Sequence, residues 1–496
     1  MRTLSPVPDV AVVGSGPNGL AAAVTMARAG LAVHVYEAAA SVGGGLRTTE
    51  LIEPGHFHDV CSAVHPMALA SPFFREFELS GRIRLEVPEL SHGAPLDGGR
   101  AALGYRSLER TVAALGRDGE AYRRLMSPLV DRLEGVADLT LNQLLRIPRQ
   151  PVAAAMFGLR TLEQGTRWWG ARFRDELAPA LLSGVAAHAV APLPTLPAAG
   201  AGLLLGALGH AGGWPIPVGG SAAIARAMVA DIEAHGGVVQ TGVRIGSLAE
   251  LPPVRATLLD VAPPGLLRIA GDRLPPGYTR ALESFRFGNA ACKVDFILSG
   301  PVPWAAAELA DAGTVHVGGT RAETAEAEHL VAAGRHPERP YVLVSQPSRF
   351  DAGRAPAGRH ILWSYCHVPA GSTVDMGEAV TAQLERFAPG FRELVVACRG
   401  TTAAGLAEYN ENYVGGDFSA GAMDLRGMFR RPVLSPVPWR TPVPGLYLCS
   451  SSTPPGPGVT GMPGLHAARH ALKDIFGMPV PGLGRQEASQ GPADPA

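Results

Sequence analysis

The chain is almost without lysine: Lys293 and Lys473 are the only two, and arginine supplies the rest of its positive charge. In a sequence this rich in Ala, Gly, Pro and Arg, that bias reads as genomic drift. It singles out the lysine kept inside the apolar, strand-like run "FGNAACKVDFIL". An excess of one charge is missing too: a formal net charge of -1 leaves no overall field to hold nucleic acid or an anionic membrane. Cysteine is sparse. Cys61, Cys292, Cys366, Cys398 and Cys449 form no CxxC and no metal-ligand spacing, so they read as reduced thiols rather than a disulfide framework or a metal site. Long apolar runs are lacking as well. Residues 177–225 contain no Asp, Glu, Lys or Arg, but Pro192, Pro194, Pro197, Pro215 and Pro217 break them, and the best piece, "AAGAGLLLGALG", is too short to span a bilayer. They read as buried core or the wall of an apolar cavity, with contact to a membrane surface as the alternative. The opening "MRTLSPVPDVAVV" has no apolar segment with a small-residue cleavage site, so a cytoplasmic location is the default expectation.

What is present is a large globular interior: 46% of the 496 residues are hydrophobic and 18% charged, enough for two or three domains. The first strong pattern is "DVAVVGSGPNGLAAAVTMARAGLAVHVYE", which reads as strand, glycine turn, helix, strand and acid. Gly14 permits the tight turn, Gly16 lets the backbone approach a pyrophosphate, and Gly19 lets helix and strand pack closely. The helix start offers free N–H groups to phosphates, and Glu37 ends the second strand where a carboxylate can accept ribose hydroxyls. This predicts a dinucleotide site without choosing between NAD and FAD.

"SVGGGLRTTEL" follows, with Gly43, Gly44 and Gly45 ahead of Arg47 and Thr48. It resembles the second glycine motif of the flavin-containing amine oxidase superfamily, in which the chain continues over an FAD pyrophosphate. Gly45 stands where an arginine is common, and Arg47 is expected to take over neutralisation of the diphosphate. Near the other end, "GLYLCSSSTPPGPGVTGMPGLHAARHALKDIFG" looks like the C-terminal FAD motif of phytoene-desaturase-like oxidoreductases. The resemblance implies Ser451 and Ser452 near the ribityl and phosphate portion, and Val459, Thr460, Gly461 and Met462 near the flavin ring. A helix start at that point would stabilise negative charge on the reduced ring. Ser450, Pro454 and Pro457 depart from the pattern. "GWPIPVGG" and "HDVCSAVHPMALASPFF" extend the resemblance to the branch containing pyridine nucleotide-disulfide oxidoreductase domain-containing proteins, and place Val243 against adenine. A redox-active cysteine pair and a second nucleotide fingerprint are both missing, so disulfide reduction is not expected.

The resulting expectation is an α/β protein. A Rossmann-type FAD-binding domain is assembled from residues 1–99, 213–261 and 405–478, a substrate domain of mixed sheet and helices from 100–212 and 262–404, and residues 479–496 form a disordered tail. In flavin amine oxidases a lysine on such a strand reaches flavin N5 through water, and "FRFGNAACKVDF" resembles that segment. Lys293 is therefore a catalytic candidate; the alternative is a pair with Asp295, two residues along the same strand face. His56, His58 and His65 lie in a segment that the resemblance brings past the ring, and His58 and His65 are further acid–base candidates. Trp363 and Tyr365 are candidates for the cavity wall. No metal site, nucleophile elbow or triad is visible. The implied activity is FAD-dependent hydride removal from an apolar small molecule, most simply C–C desaturation, with O2 or a quinone as acceptor. Amine oxidation at a C–N bond, a flavin monooxygenase and a non-catalytic flavin-binding scaffold are the alternatives.

Overall fold

A computed structural model describes residues 7–485. Short runs of buried β-branched and aliphatic residues make a five-stranded sheet, ordered Leu446–Leu448, Ala256–Leu259, Val10–Val13, Val33–Tyr36 and Val238–Gln240, with every pair parallel. Val10, Ala11 and Val12 are fully buried, as parallel strands covered on both faces require. After the first strand Gly14 turns the chain with φ +98°, and Pro17 opens the helix Pro17–Arg28 at a position where no N–H is needed. A Cβ on Gly19 would sit 2.2 Å from the Gly14 carbonyl oxygen, so the fingerprint's third glycine sets how closely helix and turn meet.

The second sheet has seven strands, ordered Val395–Thr401, Ala290–Leu298, His360–Val368, Val342–Ser345, Ala312–Val317, Leu90–Leu96 and Arg100–Tyr105. It is antiparallel except where Ala312–Val317 runs parallel to Leu90–Leu96, which makes it mixed. Alternation along Ala290–Leu298 sends Cys292, Val294, Phe296 and Leu298 into one core. Ala291, Lys293 and Asp295 take the other face, in register with His367, Tyr365 and Trp363.

Three boundaries differ from the sequence reading. Leu90–Leu96 pairs with Arg100–Tyr105 as a hairpin of the larger sheet, so a division at residue 99 cuts through its turn. The helices Pro263–Ala270 and Pro276–Glu283 follow residue 262 but pack on the parallel sheet, where Leu266, Ile269 and Leu282 join Val13 and Leu259. Residues 479–485 are not a loose tail. Leu483 is fully buried in the core around the Pro17–Arg28 helix, and Arg28 Nη1 donates to the Gly484 carbonyl at 2.6 Å. The remainder of the expected tail, residues 486–496, lies outside the described residues.

The uncharged run forms the helices Leu177–Ala186 and Leu196–Ala211, which are buried along most of their length. A Cβ on Gly202 would lie 2.9 Å from Ala186 Cα, so small residues bring the two backbones into contact. Among the described residues no helix is long and apolar enough to cross a membrane.

Candidate functional site

A cavity of about 640 Å³ lies between the two sheets, within the ~300–1,000 Å³ usual for ligand and cofactor sites. At one end the chain supplies it with glycines. Gly14, Gly16, Gly44 and Gly45 line it, and a Cβ on Gly44 would come within 3.1 Å of Gly16 Cα, so the two glycine turns lie backbone to backbone. The helix Met462–Ala471 packs against Pro17–Arg28 so closely that a Cβ on Gly464 would lie 2.0 Å from the Asn18 carbonyl oxygen. Asn18 Nδ2 donates to Ser451 Oγ at 3.1 Å and joins the two loops, while its Oδ1 is buried without a partner.

Glu37 lines the same end. Its carboxylate accepts from Ser15 N at 3.0 Å and Ala39 N at 2.8 Å, and Arg47 Nη2 stands 3.2 Å from Oε1. Arg47 also donates from Nε to the Ser41 carbonyl and lies over the Tyr409 ring, so the structure fixes it beside Glu37 and not free over the phosphate turn. Val243 lines this end too, its N–H donating to the Glu37 carbonyl at 2.8 Å. Ser451, Ser452 and Val459 reach the cavity; Gly19, Thr460, Gly461 and Met462 stand behind it, the last three shaping the start of the C-terminal helix.

Two charged groups here were not singled out from the sequence. Asp260, at the end of Ala256–Leu259, accepts from Gly19 N at 2.9 Å, and burial pushes its carboxyl up to about 7. Arg431 donates from Nε to the Ser451 carbonyl at 2.9 Å, with burial lowering its guanidinium to about 10. Neither had a local signal, since each matters only through a loop distant in sequence.

The far end is apolar and aromatic, with Pro197, Leu204, Leu205, Trp214, Leu343, Trp363 and Tyr365 in its wall. Lys293 lines it and forms a buried ion pair with Asp295, so the expected pairing along the strand is present and the lysine also faces the cavity. Its Nζ lies 5.8 Å from the Trp363 ring centroid. His58 does not reach the cavity; it is fully buried behind Asp295, with Nδ1 3.4 Å from Oδ1. That placement corrects its expected role, because its link to the cavity runs only through Asp295 to Lys293. His56 is likewise buried away from the cavity, with Nδ1 3.1 Å from the Pro54 carbonyl oxygen. His65 does line the cavity, with Nε2 2.8 Å from Ser221 Oγ, and burial lowers it to about 4, leaving it neutral at pH 7.

A histidine from the uncharged run completes this end. His188 lines the cavity, its Nε2 2.9 Å from Nε2 of the buried His316, and burial holds it near 3. The two rings share one hydrogen bond as neutral imidazoles, so one donates and the other accepts. Among the described residues no group of three or more His, Cys, Asp and Glu is placed to hold a metal ion.

Comparison with known proteins agrees with this architecture. Residues 12–77 match the model of an NAD(P)-binding Rossmann-like domain. Over 96% of its length the chain is similar, at 26% identity, to pyridine nucleotide-disulfide oxidoreductase domain-containing protein 2 of Rattus norvegicus, 95% of which is covered. Putrescine oxidase bound to putrescine shares the fold with a TM-score of 0.59 at 17% identity, over 95% of this chain and 99% of that one. Cyclohexylamine oxidase from Brevibacterium oxydans does so with a TM-score of 0.57 at 14% identity, over the same shares. The chain thus resembles an oxidoreductase domain-containing protein along nearly its whole length and has the mixed α/β fold of the amine oxidases, beginning in a Rossmann-like nucleotide-binding unit.

Proposed function

We propose that this protein is an FAD-dependent oxidoreductase that removes a hydride from an apolar small molecule, by desaturating a C–C bond. The observation that carries the reading is continuity: one cavity runs from the glycine turns at Gly14, Gly16 and Gly44 to an uncharged wall at Pro197, Leu204 and Leu343. The residues fit a dinucleotide. Gly14, Gly16 and Gly44 line the cavity with bare backbone that a diphosphate can approach, and Asn18 Oδ1 is buried and unpartnered. Glu37 and Val243 would hold the adenosine end, with Arg47 beside Glu37; Gly16, Gly44 and Gly45 would hold the phosphates, and Ser451, Ser452 and Val459 the ribityl and ring portions. FAD bound there would supply the two-electron acceptor.

The chain's own side chains do the rest. The apolar wall excludes water and orients the substrate against the cofactor end. Lys293, paired with Asp295, places its Nζ at the cavity wall beside Trp363. His65 and His188, both neutral at pH 7, can accept or donate a hydrogen bond without adding charge to a dry site.

A second reading has its own support. Trp363 and Tyr365 beside Lys293 give an aromatic wall that suits a neutral amine, and a fixed cation attracts reduced oxygen species, which favours amine oxidation with O2. One experiment separates the two: photoreduce the bound flavin without oxygen, admit air, and time reoxidation in the wild type and Lys293→Met. Slow reoxidation indifferent to the substitution supports a desaturase that passes electrons to a quinone or similar carrier. Fast reoxidation slowed by about tenfold or more in the variant moves the protein to the oxidases. A purified protein without a flavin spectrum sinks both readings.

A further inference from the structure

The outer surface beside the cavity is apolar where a surface helix is ordinarily polar. Along the helix Pro151–Gln164, Val152, Ala155, Leu159 and Leu162 face outward at spacings of three and four, while Ala153 and Phe157 face inward. Ile147, 91% exposed, precedes this face, and Trp168 follows it. A second segment, with Leu425, Phe429 and Leu434 exposed, lies alongside, tied by Gln143 Nε2 donating to the Ser435 carbonyl. Both helical segments lean on Leu196–Ala211. Nine of the fifteen large apolar residues exposed among the described residues fall in these two segments, so the patch is a concentration and not ordinary scatter.

The patch borders the cavity. Asn142, Leu144, Phe157 and Met428, from the same two segments, line it. It is also basic. Of the arginines between residues 144 and 170, Arg146 pairs with Asp138 at 2.7 Å and Arg160 with Glu163 at 3.2 Å, which leaves Arg149 and Arg167 at the surface, while Arg426 and Arg430 flank the second segment. Arg149 is largely exposed, and Arg167 stacks at 5.1 Å on the exposed Trp168. The net charge of -1 conceals this local asymmetry.

We propose that this face docks the protein on an anionic lipid bilayer, with the Pro151–Gln164 helix lying in the headgroup plane and the arginines meeting lipid phosphates. Outward leucines and Val152, a tryptophan at the edge and arginines that can reach back to the surface are the makings of an interfacial helix. A second copy of the chain fits less well, because a two-fold interface sets the same arginines against one another. An apolar substrate would then reach the cavity from the lipid without crossing water. That last clause rests on the proposed function; docking itself does not.

The test is co-sedimentation of the purified flavoprotein with vesicles of phosphatidylcholine, with and without phosphatidylglycerol, in low salt and in about 0.5 M NaCl. Expected is binding about tenfold or more tighter to the anionic vesicles, weakened by salt. Leu159→Asp combined with Leu162→Asp should lower that binding by about tenfold or more, while Val374→Asp, an exposed apolar residue elsewhere, leaves it unchanged. Absence of binding to anionic vesicles, or binding indifferent to the double substitution, overturns docking at this face. So does a dimer in light scattering that the double substitution dissociates, since that assigns the face to a second copy. If the double variant fails to fold, quenching by brominated lipid chains decides: the wild type should be quenched more than Trp168→Phe, and equal quenching refutes the proposal. Because none of these readouts uses the flavin, a failure here leaves the hydride-transfer reading standing, and the reverse also holds.

Discussion

Asp260 is a carboxyl group placed where a phosphate is expected nearby, and its protonation decides whether it helps or hinders. Burial lifts it from 3.8 to about 7, against the opposing N–H donors of Gly19 and Gly16. Below about pH 4 the group is protonated in both folded and unfolded chains and carries no penalty. As the pH rises from there, the unfolded chain ionises first and the folded state loses about 1.4 kcal/mol per unit, on the order of 4 kcal/mol once pH 7 is passed. Asp260→Asn is therefore expected to gain thermal stability over the wild type as the buffer moves from pH 4 to pH 8, and to match it near pH 4. Parallel pH profiles for the two proteins would mean that the carboxyl ionises as freely folded as unfolded. This residue was invisible in the sequence, where it is one aspartate after a short strand; only the fold brings it to the Gly14–Gly19 turn. Lys293 was legible for the opposite reason: lysine is so rare here, and the run around it so apolar, that a buried partner or a ligand was implied. The paired aspartate at the second position along the strand supplied that partner.

At the scale of elements, what could be read locally was read well. The strand, glycine turn and helix at residues 10–28 form as their pattern predicts, because the glycines and apolar residues that set their local conformation lie within one βαβ unit. Leu90–Leu96 shows the converse. Its sequence "LSHGAPL" carries Ser, His, Gly and Pro, residues poor in strand propensity, yet every residue is buried and all but Ser91 pair with a neighbouring strand, because the larger sheet needs a strand at that place. Residues 479–485 look loose by composition alone, yet they pack against the Pro17–Arg28 helix. Leu483→Ala is expected to destabilise the protein by about 2–4 kcal/mol in urea unfolding, the usual range for a fully buried leucine. No change in the midpoint would return residues 479–485 to the status of a loose tail. Gly464→Ala probes the contact between the two helices that start at the cavity. With the Asn18 carbonyl oxygen only 2.0 Å from the new methyl carbon, the Met462–Ala471 helix must shift, and flavin occupancy after purification should fall along with about 1–3 kcal/mol of stability. Full occupancy in that variant would show that the two helix starts need not be in register to hold the cofactor.

For the whole molecule, the chain crosses repeatedly between the two sheets, and the cavity draws residues from Val13 to Val459. Neither sheet is a continuous stretch of sequence: the parallel one takes strands from residues 10–36, 238–259 and 446–448, with strands of the larger sheet threaded between them. Unfolding one sheet must therefore loosen the other, which argues for one cooperative unit despite a length that ordinarily splits into domains. Cofactor binding can test this through size alone. FAD at about 100 times its dissociation constant adds roughly 2.7 kcal/mol to the folded state. With an unfolding entropy of about 2.1 cal/mol/K per residue, a unit of 496 residues should rise in melting temperature by only about 3 °C. A parallel-sheet unit of half that size, melting alone, should rise by roughly twice as much. The expected result on adding FAD to stripped apoprotein is a single calorimetric transition shifted by the smaller amount. Two transitions, with only the first moving and by the larger amount, would show that the threaded sheets come apart independently and that the cavity wall opens by separation of its two halves.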